Sequence, residues 1–418
     1  MKKLIAIAVV FALVAGAAFA ETSVSGSISV RAKLLSDTLD DNDDTKATTS
    51  GEIETAYVQL SGQNDEGTFG ALARLRANEN ASKDRGPNSW EGTNNNGTLG
   101  NIHRAFVWWR PIPQLEVFFG KDDDGKFSPY NAWSHFQGQE GYHHDHNWRD
   151  WRRAMGFTNW DTFGLAFTVK PVQGLEFNLV VPAGLVVNAD YKKMEAGDRT
   201  LESAWGGGLQ LTANYAIPDI GRVYFGIKGP AWADQNSFPG NRDYTGGENF
   251  GLFDDDYTKD YGIAGLAFQL SAVENLDLML GGSMGIPGED SDGDAPVYIA
   301  LMANYNFTGE FGIKTRWRFS INGTDGYTPY AYAEDRTTIA FDVQPFYNLG
   351  ILTAYLNIGL VATTVGDADP GIKFVLNPYI RKGMGPGEIR FGVLFIDPNL
   401  DNDNDATIAL PLTFGFSF

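Results

Sequence analysis

The residues Ile408-Ala409-Leu410-Pro411-Leu412-Thr413-Phe414-Gly415-Phe416-Ser417-Phe418 end the sequence, and their reading decides the fold. Every second position, at Ile408, Leu410, Leu412, Phe414, Phe416 and Phe418, carries a large apolar or aromatic side chain. Successive side chains of a β-strand point to opposite faces, so a strand here has one continuous oily face. Residues 311–321 repeat the pattern with charge added. Phe311, Ile313, Trp317, Phe319 and Ile321 alternate with Lys314, Arg316 and Arg318, which sets an oily face against a cationic one. A soluble sandwich also alternates but turns its polar face outward, so the question is which face meets lipid.

Working outward from these two strands, alternating segments recur along the chain. They are 22–34, 52–62, 68–77, 102–110, 114–121, 163–170, 175–182, 206–216, 221–228, 260–271, 276–284, 296–307, 311–321, 336–347, 351–361, 371–381, 388–396 and 406–418. This pattern predicts about eighteen strands, with sixteen as the other even count; about 9–11 residues per strand suffice to cross a membrane. The links alternate in length. Gln63–Gly67, Pro111–Pro113, Pro171–Gly174, Ala272–Asn275 and Thr308–Glu310 are short, whereas 78–101, 121–162, 183–205 and 229–259 are long. Tight turns at one end and long loops at the other are what a membrane barrel requires. No repeated loop motif of a propeller or solenoid stands out.

Composition narrows the class. The 418 residues contain no cysteine, which excludes disulfides, thiolate metal sites and a lipidated-cysteine anchor. The net charge of −20 disfavours a nucleic-acid partner. No internal run reaches the roughly 18 apolar residues of a membrane helix. Residues 1–20, with Lys2 and Lys3, an apolar core and Ala18-Phe19-Ala20, read as a secretory signal peptide. Residues 21–418 then form a single transmembrane β-barrel domain.

With that leader and the terminal strand, the chain resembles the bacterial outer-membrane β-barrel porins. The resemblance implies an antiparallel barrel in the cell outer membrane, with lipid outside and small hydrophilic solutes, possible anions or sugars, diffusing through. It also implies that the barrel-assembly machinery reads the terminal segment, and that the protein forms a homotrimer. A surface adhesin or antigen that uses the barrel as a scaffold is the alternative. Trp109, Tyr215, Phe307, Phe311 and Tyr347 lie on the oily face beside short turns, where rings favour the headgroup level.

With the oily face outward, the wall is rich in base. The pore-lining set is Arg74, Arg76, Arg104, Arg110, Lys314, Arg316, Arg318 and Arg390, against Glu116, Glu176, Asp277 and Asp342. Charge of this density is costly in a dry core and natural around water. The long links are acidic: 35–51, 229–259, 285–295 and 397–405 each carry −4. The third long link, 121–162, is rich in aromatics, with Asp122, Asp123 and Asp124 at one end and Arg149, Arg152 and Arg153 near the other. In porins such a loop commonly folds inward, so these six residues are constriction candidates; packing as an external lid is the other reading. His144 with His146, and Asp290, Asp292 and Asp294, are metal look-alikes, the latter lacking the distal Glu of an EF-hand. A solvated loop explains both, so no cofactor is expected beyond Ca at the acidic loops. No Gly-x-Ser-x-Gly elbow or phosphate loop occurs, and the chain is not expected to be an enzyme.

Overall fold

A computed structural model describes residues 21–39, 48–77, 101–122, 162–182, 209–229, 261–287, 295, 297–321, 336–366, 370–397 and 406–418. They form one antiparallel sheet of β1 (Glu21–Leu39), β2 (Thr48–Gln63), β3 (Phe69–Ala77), β4 (Asn101–Ile112), β5 (Leu115–Asp122), β6 (Thr162–Val172), β7 (Leu175–Pro182), β8 (Gln210–Ile217), β9 (Gly221–Lys228), β10 (Tyr261–Leu270), β11 (Leu276–Pro287), β12 (Val297–Asn306), β13 (Phe311–Ile321), β14 (Arg336–Asn348), β15 (Thr353–Val365), β16 (Gly371–Met384), β17 (Gly387–Gly392), β18 (Leu394–Asp397) and β19 (Ala406–Ser417). From β1 to β16 each strand pairs with the next in sequence, β17 and β18 each pair with both β16 and β19, and β1 also pairs with β19, from Ser27 opposite Ser417 to Leu39 opposite Ala406. The sheet is therefore closed, which leaves no edge to satisfy. β17 and β18 both lie between β16 and β19, so they are two halves of one stave and the barrel has eighteen.

The break between those halves has a local cause. Pro378 and Val393 face each other across β16, and Val393 donates its N–H to the Pro378 carbonyl at 2.9 Å. A hydrogen-bonded antiparallel pair exchanges two such bonds, but proline has no N–H to return. The buried Asn377 side chain supplies the missing donor, with its Nδ2 2.7 Å from the Val393 carbonyl oxygen. The backbone is satisfied, and only the regular ladder is interrupted.

Alternation holds around the barrel. On β13, Phe311, Trp317 and Ile321 are exposed, while Arg316, Arg318 and Ser320 are buried on the other face. The same outward phase exposes Val58, Leu75, Phe119, Leu211, Leu280, Ile339 and Phe414. Trp109, Tyr215, Phe307, Phe311 and Tyr347 are all exposed on this face, beside the short turns.

Closure at the seam depends on a glycine. Gly26 exchanges backbone hydrogen bonds with Phe418 at 2.8 and 3.0 Å. A Cβ at Gly26 would stand 2.8 Å from the Tyr57 carbonyl oxygen and 2.7 Å from Cε1 of the Phe418 ring. The terminal ring therefore lies across bare backbone, a cross-strand pairing of aromatic and glycine that recurs between Gly312 and Phe346.

Two hairpins share a sequence that strand-by-strand reading passes over. Arg110-Pro-Ile-Pro-Gln-Leu-Glu116 and Lys170-Pro-Val-Gln-Gly-Leu-Glu176 both turn between paired strands, with a register shift just before the turn in each. Pro111 and Pro171 sit in that irregularity, where a ladder N–H is not needed, and Pro113 lies in the turn itself. Residues 1–20, the loop residues 123–161, and the His and Asp look-alikes at His144, His146, Asp290, Asp292 and Asp294 lie outside the described residues.

Candidate functional site

The candidate site is the inward face of the sheet. Its best-defined part runs over β9–β13 as a chain of hydrogen bonds converging on one carboxylate. Tyr224 donates to Gln269 at 3.1 Å, and Gln269 Nε2 donates to Asp277 at 3.2 Å. From the other side, Arg316 Nη1 donates to Asn304 at 2.7 Å, and Asn304 Nδ2 donates to Asp277 at 3.4 Å. The alternation places every member on the same face, and the register sets Asp277 opposite Asn304 and Arg316 opposite Asp342. This arrangement fixes side chains that would be mobile in water, because each amide both donates and accepts.

The cationic ladder faces inward as its phase requires, but two of its three members are covered. Arg316 is 7% and Arg318 6% exposed. Arg318 stands between Ala300 and Ala340 on the flanking strands, whose small side chains leave room for a guanidinium. Lys314 keeps partial exposure, with its Nζ 5.7 Å from the centre of the Phe346 ring and 5.9 Å from that of Tyr355. Tyr355 in turn stacks on Tyr379 at 4.7 Å, and Tyr379 OH accepts from Gln344 Nε2 at 3.2 Å. Within the ladder, Arg316 is thus tied into the hydrogen-bond chain, Arg318 is covered between small side chains and Lys314 lies against aromatic rings.

At the short-turn mouth the bases meet acids directly. Arg110 pairs with Glu116 at 2.6 Å and Lys170 with Glu176 at 3.1 Å, the same contact made by the repeated hairpin motif. Arg381 pairs with Glu388 at 2.7 Å, and Arg390 pairs with the other Glu388 oxygen. Glu388 is absent from the sequence-derived set of wall acids. The signal for it is in the sequence: in the β4–β5, β6–β7 and β16–β17 hairpins alike, an acid follows the turn closely and a base precedes the turn on the strand before it.

A different chemistry lines β2–β6. Arg74 donates from Nε and Nη2 to Gln59 at 2.9 and 2.6 Å, and its guanidinium carbon lies 4.3 Å above the Tyr57 ring centre. Arg104 stands opposite Arg74 in register. Below them Phe106, Trp108 and Phe118 cluster, with ring centres 6.1 and 4.3 Å apart. Trp108 lies over Gly70, where a Cβ would stand 2.5 Å from the indole Cε2, and its Nε1 is buried with no hydrogen-bond partner among the described residues. Arg76 belongs to β3, but its side chain is not among those described, nor is that of Asp122 on β5. The other constriction candidates, Asp123, Asp124, Arg149, Arg152 and Arg153, fall outside the described residues. Among the described residues no group of acids and histidines is placed to hold a metal ion.

No family model matches the chain. No curated protein matches it either. Solved structures do. A BenF-like porin from Pseudomonas fluorescens Pf-5 is 11% identical with a TM-score of 0.56, covering 96% of this chain and 99% of that one. OccAB4 of Acinetobacter baumannii is 10% identical with a TM-score of 0.53, covering 96% and 99%. OccK5 (OpdH) of Pseudomonas aeruginosa is 12% identical with a TM-score of 0.50, covering 94% and 98%. Likeness over nearly the whole of both chains at this identity is likeness of fold, and the fold of this chain is that of the outer-membrane porin barrels.

Proposed function

We propose that the chain is an outer-membrane porin, a channel through which small hydrophilic solutes diffuse passively. The observation that supports this best is the segregation of side chains on a closed sheet. Apolar residues face outward on strand after strand, and charged, amide and hydroxyl groups face inward beside a buried apolar cluster that includes Met279, Met302 and Val375. A closed barrel of this polarity suits lipid outside and water inside, because closure leaves no strand edge unpaired. In water, a belt containing Trp109, Leu280, Trp317, Ile339 and Phe416 would far exceed the apolar patches of soluble monomers. The reading assigns the chain no catalytic step. It makes membrane lipid and small polar solutes its immediate partners, with the barrel-assembly machinery and a homotrimer as extensions that rest on the resemblance of the sequence.

The test is conductance. Purified folded protein added to a planar lipid bilayer should insert in steps, each a stable current tolerant of voltage. Folded barrel that inserts and never conducts would defeat the proposal.

A further inference from the structure

We propose that solutes cross along one side of the lumen, the wall of β1–β4, and that Arg74 and Arg104 rather than the β13 ladder set its charge preference; this rests on the channel reading above. The argument comes from which inward side chains are covered. On β7, β8, β11, β13, β14, β15 and β16, inward residues such as Asn178, Thr212, Met279, Arg316, Gln344, Asn357 and Asn377 are buried. On β1–β4 the inward Ser25, Ser27, Gln59, Arg74, Arg104 and Trp108 all keep partial exposure. They form one continuous surface, since Ser27 pairs with Tyr57, Gln59 with Arg74, and Arg74 with Arg104.

The chemistry of this strip differs from that of the covered wall. Arg74 is held against Tyr57 by two donations to Gln59, so its charge stays at a fixed place on the wall. Arg104 faces it across the strand pair, which sets two guanidinium-bearing residues in register on the exposed strip. Serine hydroxyls from β1 offer both donors and acceptors to a passing solute. The strip suits small anions that carry hydrogen-bonding groups. Arg316, by contrast, is buried, donates to Asn304 and to the Thr315 carbonyl, and faces Asp342.

The absence of cysteine makes the test direct. Ser25→Cys and Ser27→Cys on β1, and Ser283→Cys and Ser320→Cys on the covered wall, are made singly in the full-length protein. Each folded variant is treated with a charged methanethiosulfonate and read by mass and by single-channel current. The β1 cysteines should label and lose current, and the buried pair should do neither. Arg74→Gln with Arg104→Gln should move the zero-current potential in a salt gradient toward cations. Labelling and block at Ser283 and Ser320 alone, or a conducting protein whose current ignores labelled β1, would overturn the path while leaving the channel. Wild-type protein that labels at β1 yet never conducts would overturn both.

Discussion

Pro378 removes one donor from the middle of a membrane strand, and a single side chain replaces it. The Asn377 amide is fully buried and reaches the Val393 carbonyl, where water cannot serve as a substitute. Asn377→Leu leaves that carbonyl unsatisfied, which costs about 1–3 kcal/mol. The expected result is a lower midpoint of unfolding in detergent, followed by loss of β-sheet circular dichroism. Pro378→Ala restores a backbone N–H facing Val393, so in that background Asn377→Leu should be much milder. Equal losses in the two backgrounds would show that Asn377 acts by packing and not as the stand-in donor.

At the scale of the strand, the phase of alternation is the quantity to test. Leu356 on β15 faces outward and is exposed, whereas Ser27 on β1 faces inward with partial exposure. Arg at position 356 should impair folding into bilayers by roughly 2–4 kcal/mol near the midplane. Arg at position 27 should leave folding intact, as judged by heat-modifiable migration on gels. Equal tolerance would mean the faces are exchanged. Alternation alone puts Asn357 on the inner face beside Leu356, yet it is fully buried, so an added guanidinium there would meet packing rather than water. That contrast marks the limit of sequence reading. Period 2 places Arg316 and Arg318 on the inner face, and both are there, because alternation is a local property of the chain. Their burial depends on Asn304, Asp342, Ala300 and Ala340 of neighbouring strands, and register between strands is not written in one strand's pattern. The split stave at Val393 was hidden for the same reason, since it needs Pro378 directly opposite. The repeated hairpin at Arg110 and Lys170 was legible and was obscured by reading strands apart from their turns.

For the whole barrel, the balance of charge along the lumen decides which ions pass. Toward the short-turn mouth Glu116, Glu176 and Glu388 each hold a base, so part of the wall's positive charge is cancelled where a solute enters or leaves. These pairs are partly exposed, and pairs of that kind contribute only about 0–1 kcal/mol each to stability. Removing the acids should therefore spare the fold and alter the field. The triple variant Glu116→Gln, Glu176→Gln, Glu388→Gln frees Arg110, Lys170, Arg381 and Arg390 from their carboxylate partners. Its zero-current potential in a potassium chloride gradient should move toward anions. The change should shrink as salt rises, because exposed charges are screened within about 8 Å at physiological ionic strength. A shift toward cations, or none at low salt, would place these mouth pairs outside the conducting path.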